Sequence, residues 1–374
     1  MPAELTERQA FLVLNALPNI GPITTNRLLE ELSGDPRAVF AAGENRLGSV
    51  KGVGPAVSRV LAQWGEHFNL AREEKRLADT GATFITVRDG DYPKLLRQIH
   101  DPPIGLYRRG TYAFEHSCIA VVGSLRTTPY GQAIARKLGS ELARHGFCVV
   151  SGLARGSDTA AHEGALSVGG RTAAVLATGL DLIHPPENLD LYRRVAESGA
   201  ILSEFPFGRR ADRQSSAMRS RIIAGICEAV VVTESDVGGG AMITARFAGE
   251  QGRLIFAVPG RIDQPTSQGC HQLIRDGAAL LTSVDDILAE LNYLNGLRPA
   301  PIPAGTDSSA APDGLSGAEL RLFACFRGGS ILSVNALAGL TQMPAEELGA
   351  TLMLLELKRL VIKRGDGAYE THRG

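Results

Sequence analysis

Between about residues 118 and 281, apolar and β-branched residues fall in short continuous runs. Each run stops at a small residue, and helical periodicity fills the gaps. The first run, Cys118 to Val122, ends at Gly123 and Ser124, and a helical pattern begins near Pro129. Val149 and Val150 stop at Ser151 and Gly152, Thr172 to Leu176 at Ala177-Thr178-Gly179, Ala229 to Thr233 before Gly238-Gly239-Gly240, and Leu254 to Val258 at Pro259-Gly260. An apolar run without alternation is a strand buried on both faces, as in a parallel sheet covered by helices. The helices expected between are Tyr130 to His145, Thr159 to Val168, Leu189 to Ser198, Arg219 to Cys227 and Ala241 to Gln251. Strict alternation of the two patterns predicts an α/β fold, an extended Rossmann-like, doubly wound, mainly parallel sheet. Small residues at the strand ends let a ligand approach the backbone along one edge.

The flanks read differently. Residues 1–82 predict a small helical unit of the SAM/helix-hairpin-helix kind, in which Leu17 to Pro22 and Val50 to Pro55 each precede a helical pattern (Thr24 to Leu32, Ala56 to Trp64). Glycines in such turns either face backbone N–H groups to a DNA phosphate or serve a tight helix connection. Lys51 is the only cation in either turn, which tips the balance slightly to the connection. The sheet region is expected over 83–294, entered through a connector with a short strand at Thr83 to Val87. Residues 295–314 are a Pro/Ala/Ser linker, expected to be flexible. Over 315–374, Ser316 and Glu319 form a capping box, helices are expected at Ser333 to Leu340 and Pro344 to Leu360, and Val361 to Tyr369 reads as a hairpin. Three short helices and a hairpin make a winged helix. Its 7 Lys/Arg against 6 Asp/Glu suit a protein partner at least as well as DNA.

Composition narrows the chemistry. The net charge of −1 gives no bulk affinity for polyanions, so an anion site must be a local cluster. Five scattered cysteines, none in a Cys-x-x-Cys pair, fit reduced thiols in a cytosol and make structural zinc unlikely on spacing grounds. No apolar run approaches the ~20 residues of a membrane span, and no signal-peptide form is present, so a cytoplasmic protein without metal or cofactor is expected.

The first turn lacks Gly-x-Gly-x-x-Gly and the second strand ends without an acidic residue, so dinucleotide binding is disfavoured. No Gly-Lys-Ser/Thr follows a strand, which removes a P-loop. Gly238 to Thr244 is a glycine-rich turn entering a helix, a phosphate cradle that resembles the turn of the phosphoribohydrolases related to cytokinin-activating enzymes. Their catalytic glutamate would stand at Phe247, which points to binding rather than bond cleavage. Phe205 to Arg221 holds five arginines and one aspartate, net +4. A solvated loop would explain that run; its place beside glycine-lined turns favours a phosphate site with charge and fixed donors. Asp158 and His162 are read as a cap over the preceding turn and a packed histidine rather than as an acid/base pair.

Together Val122-Gly-Ser, Ser151-Gly-Leu-Ala-Arg-Gly-x-Asp-Thr-x-Ala-His162, Ile201-Leu-Ser-Glu204, Arg219-x-Arg-Ile-Ile-Ala-Gly225, Gly240-Ala-Met-Ile-Thr-Ala245, Val258-Pro-Gly260 and Leu273-Ile-x-x-Gly-Ala278 closely resemble the DNA-processing protein A (DprA, or Smf) family over about residues 85 to 292. The resemblance implies a protein of natural transformation that binds and protects incoming single-stranded DNA, helps load the RecA recombinase, forms homodimers through the Rossmann-like domain, and is not an enzyme in this role. The family's Gly-Ser-Arg turn reads Gly123-Ser124-Leu125 with Arg126 next, its base-contacting aromatic and following asparagine read Ser216 and Ser220, its basic residue three positions earlier is kept as Arg213, and a later asparagine is His271. Stacking is worth ~1–3 kcal/mol per base, so loss of that aromatic bears on affinity or binding mode. The expected DNA site is Gly123, Ser124, Gly152, Gly240 and Thr244 as donors, Arg126, Arg155, Arg213, Arg219 and Arg221 as charge, and Arg261 and His271 at its flank. The alternatives are a nucleotide phosphoribohydrolase on the related fold and a scaffold that only recruits recombinase.

Overall fold

A computed structural model of the protein describes residues 5–295, 315–326, 332–364 and 367–371. It divides into two units, Met1–Pro303 and Ala304–Gly374. The expected linker, 296–314, lies outside the described residues.

The first unit opens with seven helices: α1 (Glu7–Ala16), α2 (Pro22–Glu31), α3 (Pro36–Ala41), α4 (Glu44–Gly48), α5 (Pro55–Ala62), α6 (Trp64–His67) and α7 (Leu70–Thr80). Thr6 and Gln9 close a capping box on α1, while α2, α3 and α5 begin with proline, whose missing N–H costs nothing in a first turn. The turn before α5 serves packing: Val50 and Val53 are buried, and the Arg27 guanidinium fills the side-chain position of Gly52.

Then come β1 (Thr83–Thr86), β2 (Gly105–Arg109), β3 (Cys118–Val122), α8 (Pro129–Arg144), β4 (Cys148–Ser151), α9 (Ser157–Ser167), β5 (Thr172–Leu176), α10 (Leu189–Ser198), β6 (Ala200–Ser203), α11 (Arg213–Ile226), β7 (Ala229–Val232), α12 (Gly240–Glu250), β8 (Leu254–Ala257), α13 (Gln268–Arg275), β9 (Ala279–Leu280) and α14 (Val284–Asn295). The strands form one sheet in the order β1-β2-β6-β5-β4-β3-β7-β8-β9. From β6 to β9 every pair is parallel, and β1 and β2 add an antiparallel edge. Strand residues alternate between two cores. Ala120, Val122, Val150 and Val232 meet Ile222, Ile223 and Ala245 of α11 and α12, while Ile119, Val121, Val149 and Val231 meet Leu138, Leu142, Ala161 and Ile287 of α8, α9 and α14. A third core joins Phe11, Leu14, Leu28 and Leu61 of the helical segment to Phe84, Tyr107, Leu176 and Tyr192 of the sheet and α10, so helices and sheet share buried surface within this unit.

In the second unit, α15 (Gly317–Ala324), α16 (Val334–Thr341) and α17 (Ala345–Leu357) precede the hairpin β10 (Val361–Lys363) and β11 (Tyr369–Thr371). The capping box forms as read: Ser316 Oγ accepts from Glu319 N at 3.3 Å and Glu319 Oε2 from Ser316 N at 2.7 Å. Leu322, Phe326, Leu348, Leu352 and Val361 close a separate core.

Candidate nucleic-acid interface

All parallel strands end at one edge of the sheet. The chain leaves β3 for α8 on one face and leaves neighbouring β7 for α12 on the other. Such a reversal opens a crevice outside the carboxyl ends of the two strands, where ligands of doubly wound folds bind. The Gly123 turn and the turn running from Thr233 to Gly240 line it.

Tight packing beneath these turns decides which glycines are needed. A Cβ on Gly123 would lie 2.3 Å from Ser157 Oγ and 2.5 Å from Thr233 Oγ1, whose hydroxyls meet each other at 3.0 Å. A Cβ on Gly152 would lie 2.5 Å from Arg219 Nη1 and 2.8 Å from Asp158 Oδ2. Gly152 therefore contributes no free donor: its N–H already goes to Asp158 Oδ2 at 3.1 Å. Burial raises the Asp158 pKa, and the Arg219 guanidinium pulls it back. Asp158 thus caps the turn as read. His162 is wholly buried and bound through Nδ1 to Thr172 Oγ1 at 2.7 Å.

Besides Gly123 and Gly152, the other ten expected residues separate into three groups. Arg126 and Arg213 are exposed and, among the described residues, their side chains meet no partner; Arg210 behaves alike. Gly240, also exposed, opens α12, whose first turn has no side-chain cap and so presents N–H groups and the positive helix end. Ser124 is half-buried, with Oγ accepting from Arg126 N at 3.1 Å.

Three expected residues, Arg155, Arg261 and His271, form the second group and are engaged at the surface, as is Arg209 outside the expected set. Arg155 pairs with Glu187, Arg261 with Asp263 at 2.7 Å, and Arg209 with Asp212 at 2.5 Å. Exposed pairs of this kind are weak and screened by solvent, so a phosphate can displace the carboxylate. His271 donates Nε2–H to Gly260 O at 3.0 Å, which leaves Nδ1 as the ring atom open to a ligand.

The third group is turned inward. Arg219, half-buried, donates from Nη1 to Gly152 O at 2.9 Å and so braces the second turn from below. Arg221 is 4% exposed, its Nη2 2.6 Å from Glu204 Oε1 and its Nε 3.0 Å from Asp101 Oδ2. A buried guanidinium between two carboxylates is a structural tie, so the expectation that Arg221 meets phosphate is corrected. Thr244 is corrected too: α12 starts at Gly240, and Thr244 lies a turn further along, buried beside Ala241 and Ala245. Position 247 holds a half-buried phenylalanine, so the phosphoribohydrolase glutamate has no counterpart there.

Two features escaped the sequence reading. Glu234, 3% exposed just past β7, accepts from Thr128 N at 2.8 Å, Thr127 Oγ1 at 2.9 Å and Thr128 Oγ1 at 2.5 Å, locking the start of α8 beside the crevice. Its only signal was a carboxylate following an apolar strand. The other is a set of exposed apolar side chains beyond β3, β7 and β8: Leu125 (63% exposed), Tyr130, Val237 and Ile262 (89%). Isolated apolar residues in loops carry no periodic signal. Among the described residues, no group of His, Cys, Asp and Glu could hold a metal, and no helix is long and apolar enough to cross a membrane.

These features define a class: a doubly wound α/β protein with an anion-adapted crevice at its topological switch point, followed by a winged helix. The chain belongs to the DNA recombination-mediator protein A family, whose model matches residues 83–292, and a DprA winged helix domain matches 306–367. It is 36% identical over 294 residues to Protein Smf of Synechocystis, covering 77% of this chain and 74% of that one. It is 40% identical over 210 residues to DNA processing protein DprA of Streptococcus pneumoniae, covering 56% and 74%. The solved structure of DNA processing protein A from S. pneumoniae superposes with a TM-score of 0.66 at 32% identity, covering 77% of this chain and 98% of that one. The protein from Helicobacter pylori, whose structure is described for its single-stranded DNA binding mode, gives 0.51 at 28% identity, covering 56% and 96%.

Proposed function

We propose that this protein binds single-stranded DNA, without reading its sequence, along the crevice edge of the sheet. In this reading it serves natural transformation in the cytoplasm, protects the incoming strand, passes it to the RecA recombinase, works as a homodimer through residues 83–294, and performs no catalysis of its own. Residues 1–82 buttress the sheet region, and 315–374, beyond the 295–314 linker, form the winged helix. The carrying observation is the set of exposed arginines Arg126, Arg210 and Arg213, unpartnered among the described residues, on the same carboxyl edge of the sheet as the uncapped α12 N-terminus. Arginines on the β3 and β6 side take phosphates; Val237, Ile262 and Tyr130 on the β7 and β8 side offer apolar surface to bases. This arrangement replaces the stacking aromatic that the family places at Ser216.

Titration of poly-dT and of a duplex of equal length across a salt series tests the reading. Tighter binding to the single strand is expected, with a log–log slope that flattens by ~0.7 for each phosphate-binding arginine removed. Equal affinity for both forms, or an unchanged slope in Arg126→Ala/Arg213→Ala, rejects it.

A further inference from the structure

Past β6, the stretch after the strand runs against the helical segment, and the charges on α7 are sorted in a way that packing alone does not require. Of its six charged residues, Glu73 is buried, Glu74 accepts from Gln9 Nε2 at 2.8 Å, and Lys75 and Asp79 hold each other at 2.7 Å. Arg72 and Arg76 remain. Among the described residues their side chains make no hydrogen bond or ion pair, Arg72 being exposed and Arg76 half-buried. Four residues apart, they are neighbours on one face of the helix.

That face adjoins the arginine-rich stretch. A Cβ on Gly208 would lie 3.5 Å from Arg76 Nη1, and Gly208 takes φ +86°, a left-handed conformation that glycine adopts without strain. The turn around it is fixed from several sides. Glu73 accepts from Phe207 N and Asp181 Oδ1 from Gly208 N at 2.8 Å, while Arg209 N donates to Pro206 O at 3.2 Å and Arg209 O accepts from Gly179 N at 2.9 Å. The acids in this stretch are thus engaged by backbone N–H groups, Asp212 likewise by Ser215 N at 2.7 Å as the cap of α11. Arg76 and Arg72 therefore continue, from a rigid support, the row of cations that includes Arg209 and Arg210. Guanidinium groups in a row suit successive phosphates. An acidic peptide would satisfy the same charge, but the row is continuous with the crevice, so a strand seated there reaches it without a second encounter.

We infer that a single strand leaving the crevice past Arg209 and Arg210 continues onto α7, where Arg76 and Arg72 take its next phosphates. The inference rests on the DNA reading above and extends it. The helical segment becomes part of the binding surface, and affinity depends on whether the strand is long enough to reach it.

Titration of the full-length protein with oligo-dT of about 6 and about 24 nucleotides tests it, one strand short enough to stay in the crevice and one long enough to leave it. Arg72→Gln/Arg76→Gln keeps much of each stem and removes both charges. On the long strand its log–log salt slope is expected to flatten by ~1.4, ~0.7 for each contact, so its deficit against wild type shrinks about sevenfold as salt rises from about 50 to about 200 mM. On the short strand it binds as wild type does. Arg72→Lys/Arg76→Lys keeps the wild-type slope on both strands, and Arg46→Gln, at an exposed position of α4, changes neither. An unchanged slope on the long strand overturns the inference, whether the patch then serves another acidic partner or none. So does an equal deficit on both strands, which would mean that Arg76 steadies the Gly208 turn without touching phosphate. Wild-type protein that does not prefer the single strand over a duplex rejects the DNA reading itself, and this extension with it, whatever the Gln variant does.

Discussion

His162 shows how far a single hydrogen bond fixes chemistry. Thr172 Oγ1 donates its only proton to Val149 O at 2.7 Å, so the 2.7 Å contact with His162 must carry a proton from Nδ1. Nε2 is buried and partnerless among the described residues, so a second proton there would be an unsolvated charge and the fold favours the neutral Nδ1–H ring. Burial pushes its pKa from 6.5 down to about 3. A group depressed on folding contributes stability that is whole above its unfolded value and is lost as pH falls through that window. Asp158 and Glu73, raised by burial, act with the opposite sign at acid pH, so the difference between wild type and His162→Gln is the proper readout. Urea unfolding should show the wild type's advantage shrinking by up to about 1.4 kcal/mol per pH unit below about 6. A difference that stays flat from pH 7 to 5 would mean that the imidazole is free to charge inside the fold.

Helix α11 carries two kinds of arginine that composition cannot tell apart. Arg213 stands in its first turn in solvent, whereas Arg221, two turns on, is tied to Glu204 and Asp101. Arg213→Ala should leave unfolding free energy within about 0.5 kcal/mol and weaken binding to single strands. Arg221→Ala strands two carboxylates and should cost about 3–5 kcal/mol in stability, with any binding loss following the unfolding. Equal stability of the two variants would show that the buried tie carries no weight. The difference was hidden in the sequence because the helix starts six residues before its apolar period does. Asp212 and Ser215 cap it, and two serines precede the first isoleucines. The central strands were legible to within a residue at most ends, since continuous apolar runs report burial on both faces: β5 at Thr172 to Leu176 stands as read, and among the helices so does α10 at Leu189 to Ser198. Strand β2 was not, because its last two residues are arginines whose burial depends on distant partners, Asp91 for Arg108 and the Tyr192 ring for Arg109. At the crevice the turns were visible, but the direction of each arginine was not, since direction follows from helix start and long-range pairing.

Within the first unit, the helical segment reaches the arginine-rich stretch through one carboxylate. Glu73 of α7 is 4% exposed and accepts at Oε1 from both Tyr107 OH and Phe207 N, each at 2.9 Å. The Phe207 ring lies edge-on to Tyr107 at 5.4 Å, and two residues beyond it stand Arg209 and Arg210. Asn15 of α1 adds a second link, donating to Glu204 O at 2.7 Å. Helices that looked like a separate domain thus hold the backbone from which the crevice arginines project. Burial raises the Glu73 pKa, so the folded protein favours its neutral form and the carboxylate's charge opposes stability once pH rises above its ordinary range. Glu73→Gln keeps an acceptor oxygen without that charge, so it should match or exceed wild type in urea unfolding at pH 7, by a margin that vanishes as pH falls. Glu73→Ala removes the acceptor and leaves a buried N–H and hydroxyl unsatisfied, at about 1–3 kcal/mol for each group. In that variant the Phe207 amide should exchange with solvent faster and affinity for single strands should fall, while Gln restores both. If Ala leaves Phe207 protection and affinity as they were, the arginine segment is held by the sheet alone and the helical segment has no part in shaping the edge proposed to bind DNA.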